Sequence, residues 1–184
     1  MDDNKTMIEQ TKIWLKEIVI GFNFCPFANP VFKEEKIDYV ATTASSELQA
    51  NAILLQTIDG LIAHPERETA LIIFSNYLNN FDHYLVYLKK ANALLQRKKM
   101  NGRFQLASFH PNYVFDGLTN DDAANFTNRS PFPILHIIRE DSLSKALKTF
   151  PNPESIPDRN IAMARNKGLR FFQEFMNNIK TKTT

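Results

Sequence analysis

The chain predicts an α/β fold, a layered and mostly parallel sheet of about four strands flanked by helices. Short apolar runs alternate with much longer amphipathic ones, in the order strand, long helix, strand, long helix, strand that crossover connections produce. One of the short runs, "TALIIFS" (69–75), is apolar without interruption, as a strand covered on both faces is. The 184 residues, 43% of them hydrophobic, suit a single domain (1–184) that buries roughly 70% of its unfolded surface.

Each element has its own signal. In "TMIEQTKIWLKEIVIGF" (6–22), Ile8, Trp14, Leu15, Ile18, Val19 and Phe22 recur near helical spacing, giving an opening helix that stops around Gly21. "NFCPFANP" then turns the chain. "KIDYVATTA" (36–44) reads as a strand, and Ser45 or Ser46 as the N-cap of a helix running to about Ala63. After the strand at 69–75, a second long helix covers "NNFDHYLVYLKKANALLQRKK", with Gly102 beyond its basic end as a terminator. "RFQLASF" (103–109) and "PILHIIR" (133–139) are the third and fourth strands, and Asp141 or Ser142 caps a helix through Phe150. "FPNPESIPDRN" (150–160) reads as a proline-rich connector. A last helix, interrupted or softened at Gly168, packs Phe171, Phe172, Phe175 and Ile179 on the sheet before a frayed tail at about 180–184.

Charge and composition narrow the classes of function. The net charge of +2 is the balance of 22 basic and 20 acidic residues spread along the chain, too weak a field for nucleic acid or anionic lipid, and a small partner is expected instead. No apolar run approaches the roughly 20 residues that cross a bilayer and the N-terminus is too acidic for a secretory signal, so the expectation is a cytoplasmic protein. The single cysteine, Cys25, excludes an internal disulfide and disfavours a thiolate zinc site. Five scattered glycines build neither a phosphate loop nor a dinucleotide fingerprint, and no cofactor is expected.

In open α/β sheets ligands gather beyond the carboxyl ends of the strands. Thr42 and Thr43, Ser75 and Asn76, Ser108 and His110, and Arg139 and Glu140 follow the four strands here. The connection from His110 to Pro133 is longer than two adjacent strands need, a property of functional loops. It carries Asn125, Asn128, Arg129 and Ser130, although its Asn and Asp side chains would serve equally to satisfy the loop's own backbone.

Arg129, held by "SPFP", and Arg139, at a strand end, have the guanidinium fork that recognises carboxylate or phosphate, with internal ion pairing as the plainer alternative. His110, at a strand end before Pro111, is the candidate general acid or base. Cys25 is a candidate nucleophile if an imidazole lies beside it, or a small packing residue between Phe24 and Phe27. Alternation puts His136 on one face with Ile134 and Ile138, the setting of a hydrogen-bonded core histidine. His110, Asp116 and Asp121 or Asp122 have metal-ligand chemistry without a ligand spacing, and no metal is expected.

At "GFNFCPFA", "ASFHPNYVFDG", "DDAANFTNRSPFPILHIIRE" and "IPDRN" the chain resembles a bacterial family catalogued as domain of unknown function 1415. The resemblance spans most of the chain, and its motif segments fall on Cys25 to Phe27, His110 and Pro111, Asn128 to Pro131, and Leu135 and His136. It implies bacterial origin and a single-domain architecture, and it brings no activity with it. Phe22 and Phe24 stand where aliphatic residues are usual, a change of packing.

These readings converge on an enzyme, a hydrolase or transferase, acting on a small anionic molecule: Arg129 and Arg139 hold the anion, Asn125, Asn128 and Ser130 orient it, and His110, with Cys25, does the chemistry. The alternatives are a non-catalytic module binding an anionic ligand in the same pocket, and a metal-dependent hydrolase.

Overall fold

The computed structural model describes residues 3–182. Four strands form one sheet, β1 (Ile37–Thr42), β2 (Thr69–Phe74), β3 (Phe104–Phe109) and β4 (Ile134–Arg139), in the spatial order β1-β2-β4-β3. The helices α3 (Glu47–Ala63) and α4 (Phe81–Arg97) make the crossovers after β1 and β2. Both start where a side chain can accept from an otherwise unpaired helical N–H: Ser46 from Gln49 at 3.4 Å and Asn80 from His83 at 2.9 Å.

The sheet is mixed, which corrects the expectation of a mostly parallel one. β1 and β2 are parallel, whereas β4 runs antiparallel to both β2 and β3 and separates them. A fourth parallel strand would need its connection to recross the sheet, and such connections are usually helical. Residues 110–133 contain only a 3₁₀ turn, Ala123–Thr127, so the chain stays at one edge and re-enters beside the strand it left. The bonds His110 N–H to the Asn128 carbonyl (3.1 Å) and Phe74 N–H to the Pro133 carbonyl (3.0 Å) fasten the re-entry.

The reversal moves Arg139 to the edge opposite His110 and Arg129. There its Nε donates to the Arg67 carbonyl (2.8 Å) and its Nη2 to the Leu61 and His64 carbonyls, while its guanidinium lies over the Phe104 ring. It thus satisfies carbonyls at the open end of α3, a C-terminal cap from a distant strand. Arg139→Lys should lower stability by about 1–2 kcal/mol in urea melts, because one ammonium cannot span these acceptors. An unchanged midpoint would contradict the capping role.

Helices cover both faces of the sheet. On one, Leu54, Ile58, Tyr84 and Leu95 from α3 and α4 meet Ile72, Phe74, Leu135 and Ile137. On the other, Trp14, Ile18, Phe24 and Phe172 meet Leu71, Ile73 and Ile134. The alternation of Leu71 and Ile73 with Ile72 and Phe74 between the two cores explains why β2 is apolar throughout.

The second face is built by α1 (Asp3–Trp14), a π-helical stretch (Leu15–Ile20), a short α2 (Ala28–Lys33) not foreseen from the sequence, α6 (Ile156–Lys167) and α7 (Leu169–Lys182). α5 (Glu140–Thr149) begins directly after β4, without the expected Asp141 or Ser142 cap. α6 takes up much of the stretch expected to be a connector, and the break before α7 falls at Gly168, with φ 84°. Phe172 and Ile179 are buried as expected, whereas Phe171 is exposed. α7 continues to Lys182; of the tail expected to fray, Thr183 and Thr184 lie outside the described residues. Among the described residues no helix is long and apolar enough to cross a membrane.

Candidate functional site

The 110–133 loop is tied chiefly to itself. Asn125, fully buried, accepts from the Phe115 N–H (3.0 Å) and donates to the Thr119 carbonyl (2.9 Å), and Ser130 donates to the Phe132 carbonyl (2.6 Å). Arg129 donates through Nε to the Tyr113 carbonyl (3.0 Å) and through Nη2 to the carbonyl and side-chain oxygen of Asn120 (2.8 and 2.9 Å), over the Phe126 ring. Its own carbonyl accepts from the Trp14 indole at 2.9 Å. Burial presses its pKa down against the pull of Asp121. With Nε and Nη2 engaged by the loop, Arg129 acts as a loop clasp, so Arg129→Lys should cost about 1–3 kcal/mol of stability in thermal melts, with no separate effect on any ligand. A binding defect at unchanged stability would contradict this.

His110, expected to face a cleft, is fully buried. Its Nε2 donates to the Leu78 carbonyl (3.0 Å) and its Nδ1 accepts from the Asn112 N–H (3.0 Å), an assignment forced by partners that can only accept or only donate. Packing against Phe81 and Tyr84 completes the setting, and burial lowers its pKa. With both nitrogens engaged, the ring has neither a free lone pair nor a free proton for a substrate.

Two adjoining cavities of about 530 and 520 Å³, which share Val19, Cys25 and Phe109, lie on the other face. Local structure delivers Cys25 to this wall. The π-helical stretch ends with Gly21 N–H bonded to the Lys16 carbonyl (3.0 Å), where a Cβ on Gly21 would come within 2.2 Å of the Glu17 carbonyl oxygen. Asn23 then turns the chain at φ 55°. From the far side α6 clamps the segment: Asn160 donates to the Phe24 carbonyl (2.6 Å) and Arg159 to the Asn23 carbonyl (2.5 Å). α6 also grips the long loop, where Arg165 holds Asp122 bidentately at 3.1 and 2.7 Å. Asp116, Asn128 and Asn160 therefore border the first cavity with Cys25. Asn128 is the one nominated ligand-binding residue there, its Nδ2 bonded to the Ser108 carbonyl at 3.0 Å.

The second cavity runs along the sheet beneath α1, α2 and α5, with apolar walls from Trp14, Leu15, Val31, Phe109, Ile138 and Leu143. His136, half-buried, borders it together with Cys25, Thr69, Glu68 and Ser142. Thr69 Oγ1 donates to the Ile137 carbonyl (2.5 Å), so the 2.6 Å contact between Thr69 Oγ1 and His136 Nε2 has the imidazole as donor. That leaves Nδ1 as a lone pair, for which the described residues supply no partner. Burial lowers the His136 pKa to about 4, and the ring is neutral at pH 7.

At Cys25, burial raises the thiol pKa and outweighs the N–H groups of Phe27 and Ala28, which favour the thiolate. The site therefore holds a thiol and a neutral imidazole. No group of three or more His, Cys, Asp or Glu that could hold a metal ion occurs among the described residues.

The structure thus gathers Cys25 and Asn128 at the cavities, keeps Asn125, Arg129, Ser130 and His110 inside the loop and its anchorage, and sends Arg139 to the opposite edge. Sequence reasoning missed His136, Thr69, Glu68 and Ser142 as cavity residues. Alternation in "PILHIIRE" did place His136 with Ile138 on one face, but not that this face is left partly open.

The family model described as "Protein of unknown function (DUF1415)" matches residues 6–174, and the chain belongs to that family. No curated protein and no solved structure matches the chain.

Proposed function

We propose that this family member binds a small, largely apolar molecule in the two adjoining cavities, with Cys25 at their junction and His136 at the polar part of the second. The shared wall carries the reading, since Cys25 borders two apolar spaces of ligand size. The neutral side chains fit a dry site, and burying on the order of 200 Å² of apolar ligand surface contributes about 5 kcal/mol. The expectation of a bound anion has less support, because Arg129 and Arg139 both engage Nε and Nη2 within the protein, mainly on backbone carbonyls.

Ala107, which pairs with His136 in register and borders the second cavity, provides the test. Ala107→Leu should fill that space, abolish the thermal stabilisation produced by 1-hexanol, and leave the melting temperature without hexanol unchanged or raised. Hexanol stabilisation of equal size in the variant would overturn the reading.

Catalysis by Cys25, as a hydrolase or transferase, is a second reading. The N–H groups of Phe27 and Ala28 at its sulfur favour it, and burial opposes it. If the protein only binds, iodoacetamide should label Cys25 slowly at neutral pH and the rate should climb only in the alkaline range. An inflection below about 8.5 would reveal a ready thiolate and establish the nucleophile.

A further inference from the structure

We infer that the second cavity selects molecules with an apolar body and a hydrogen-bond-donating head, a primary amine above all, and discriminates against carboxylates. The inference rests on the cavity being the ligand site and adds which ligand chemistry it takes.

The donors around the cavity are nearly all spent. Thr69 gives its proton to the Ile137 carbonyl, His136 Nε2–H to Thr69, Ser142 to Glu68 Oε2 at 2.6 Å, and the Trp14 indole to the Arg129 carbonyl. Beside the weak Cys25 S–H donor and the Lys36 ammonium, the side-chain groups that remain toward the cavity are acceptors: the His136 Nδ1 lone pair and the carboxylate of Glu68, which makes no ion-pair contact among the described residues although the Lys36 charge reaches it.

The charges on the rim agree. Glu34 and Glu68 face a single ammonium, Lys36, which Glu34 Oε2 engages at 2.6 Å. The first turn of α5 brings its N–H groups to the same end of the cavity, but Glu140 and Asp141 within that turn already supply the negative charge a helix N-terminus favours. A carboxylate head would meet like charge at Glu68 or a lone pair at His136, whereas an ammonium would meet an acceptor at either place while its chain lay on Ile138 and Leu143. Burying an unpaired donor or acceptor is the more costly outcome, so the mismatch discriminates more strongly than the match attracts.

Three probes of equal length, n-hexylamine, 1-hexanol and hexanoate, titrated calorimetrically at pH 7 into the intact protein, test this. The amine should bind about tenfold or more tightly than hexanoate, with hexanol between them. In Glu68→Gln, which keeps an acceptor for Ser142, the amine should weaken about tenfold while hexanol is unchanged. Hexanoate binding as tightly as the amine, or an amine indifferent to Glu68→Gln, would overturn the donor-head inference and leave the cavity reading intact. Failure of all three probes to bind the wild-type protein would overturn both.

Discussion

His110→Ala should lower the stability of the protein by about 3 kcal/mol, the largest loss expected from any polar residue of the long loop. The substitution leaves the Leu78 carbonyl and the Asn112 N–H without their 3.0 Å partners and opens a void between Phe81 and Tyr84. A second cost lies in the backbone. Leu78 sits at φ 72°, a region that disfavours bulky side chains, and the imidazole holds its carbonyl there. Urea denaturation gives the magnitude, and a variant as stable as wild type would return His110 to the list of candidate catalysts.

Stability should also fall in acid between pH 6.5 and 4, by less than the about 3 kcal/mol that a wholly buried histidine with this shift would give, because the ring is half-buried at a cavity. The sign follows from His136. Its folded pKa of about 4 lies below the ordinary histidine value of 6.5, so across that window the unfolded chain takes up a proton that the folded one refuses. The stabilisation is complete above the unfolded value, is lost as pH falls toward the folded one, and does not change further below it. His110, also shifted downward by burial, acts in the same direction. Urea melts at stepped pH should show the slope, and His136→Gln, which keeps a donor for Thr69, should remove most of it. Stability that rises as pH falls through this window would contradict the account.

Much of the fold was legible because local rules decide it. Ser46 and Asn80 mark helix starts through short polar side chains, the unbroken apolar run of β2 announces cover on both faces, and Gly168 marks the break before α7. The direction of β4 was legible in principle, since nothing between His110 and Pro133 has the periodicity of a crossover helix, and misreading it carried Arg139 to the wrong edge.

The site was less legible, for reasons of tertiary structure. His110 looks exposed at a strand end, and only the Leu78 carbonyl, distant in sequence, makes it an anchor. Arg129 looks like a recognition fork, yet nothing local foretells that Tyr113 and Asn120 present their carbonyls to it. His136 reads as core, and becomes a cavity residue because α1, α2 and α5 meet over the sheet without filling the space beneath them.

The central claim, that the cavities bordered by Cys25 and His136 receive the ligand, is tested most directly by methyl-resolved NMR of the protein titrated with n-hexylamine and 1-hexanol. The account predicts saturable shifts of the Leu15, Val31, Ile138 and Leu143 methyl groups, no comparable shifts of Leu54 or Leu95 on the opposite face, and their loss in Ala107→Leu. Shifts spread over both faces, or methyl groups of the second cavity that stay still, would contradict it.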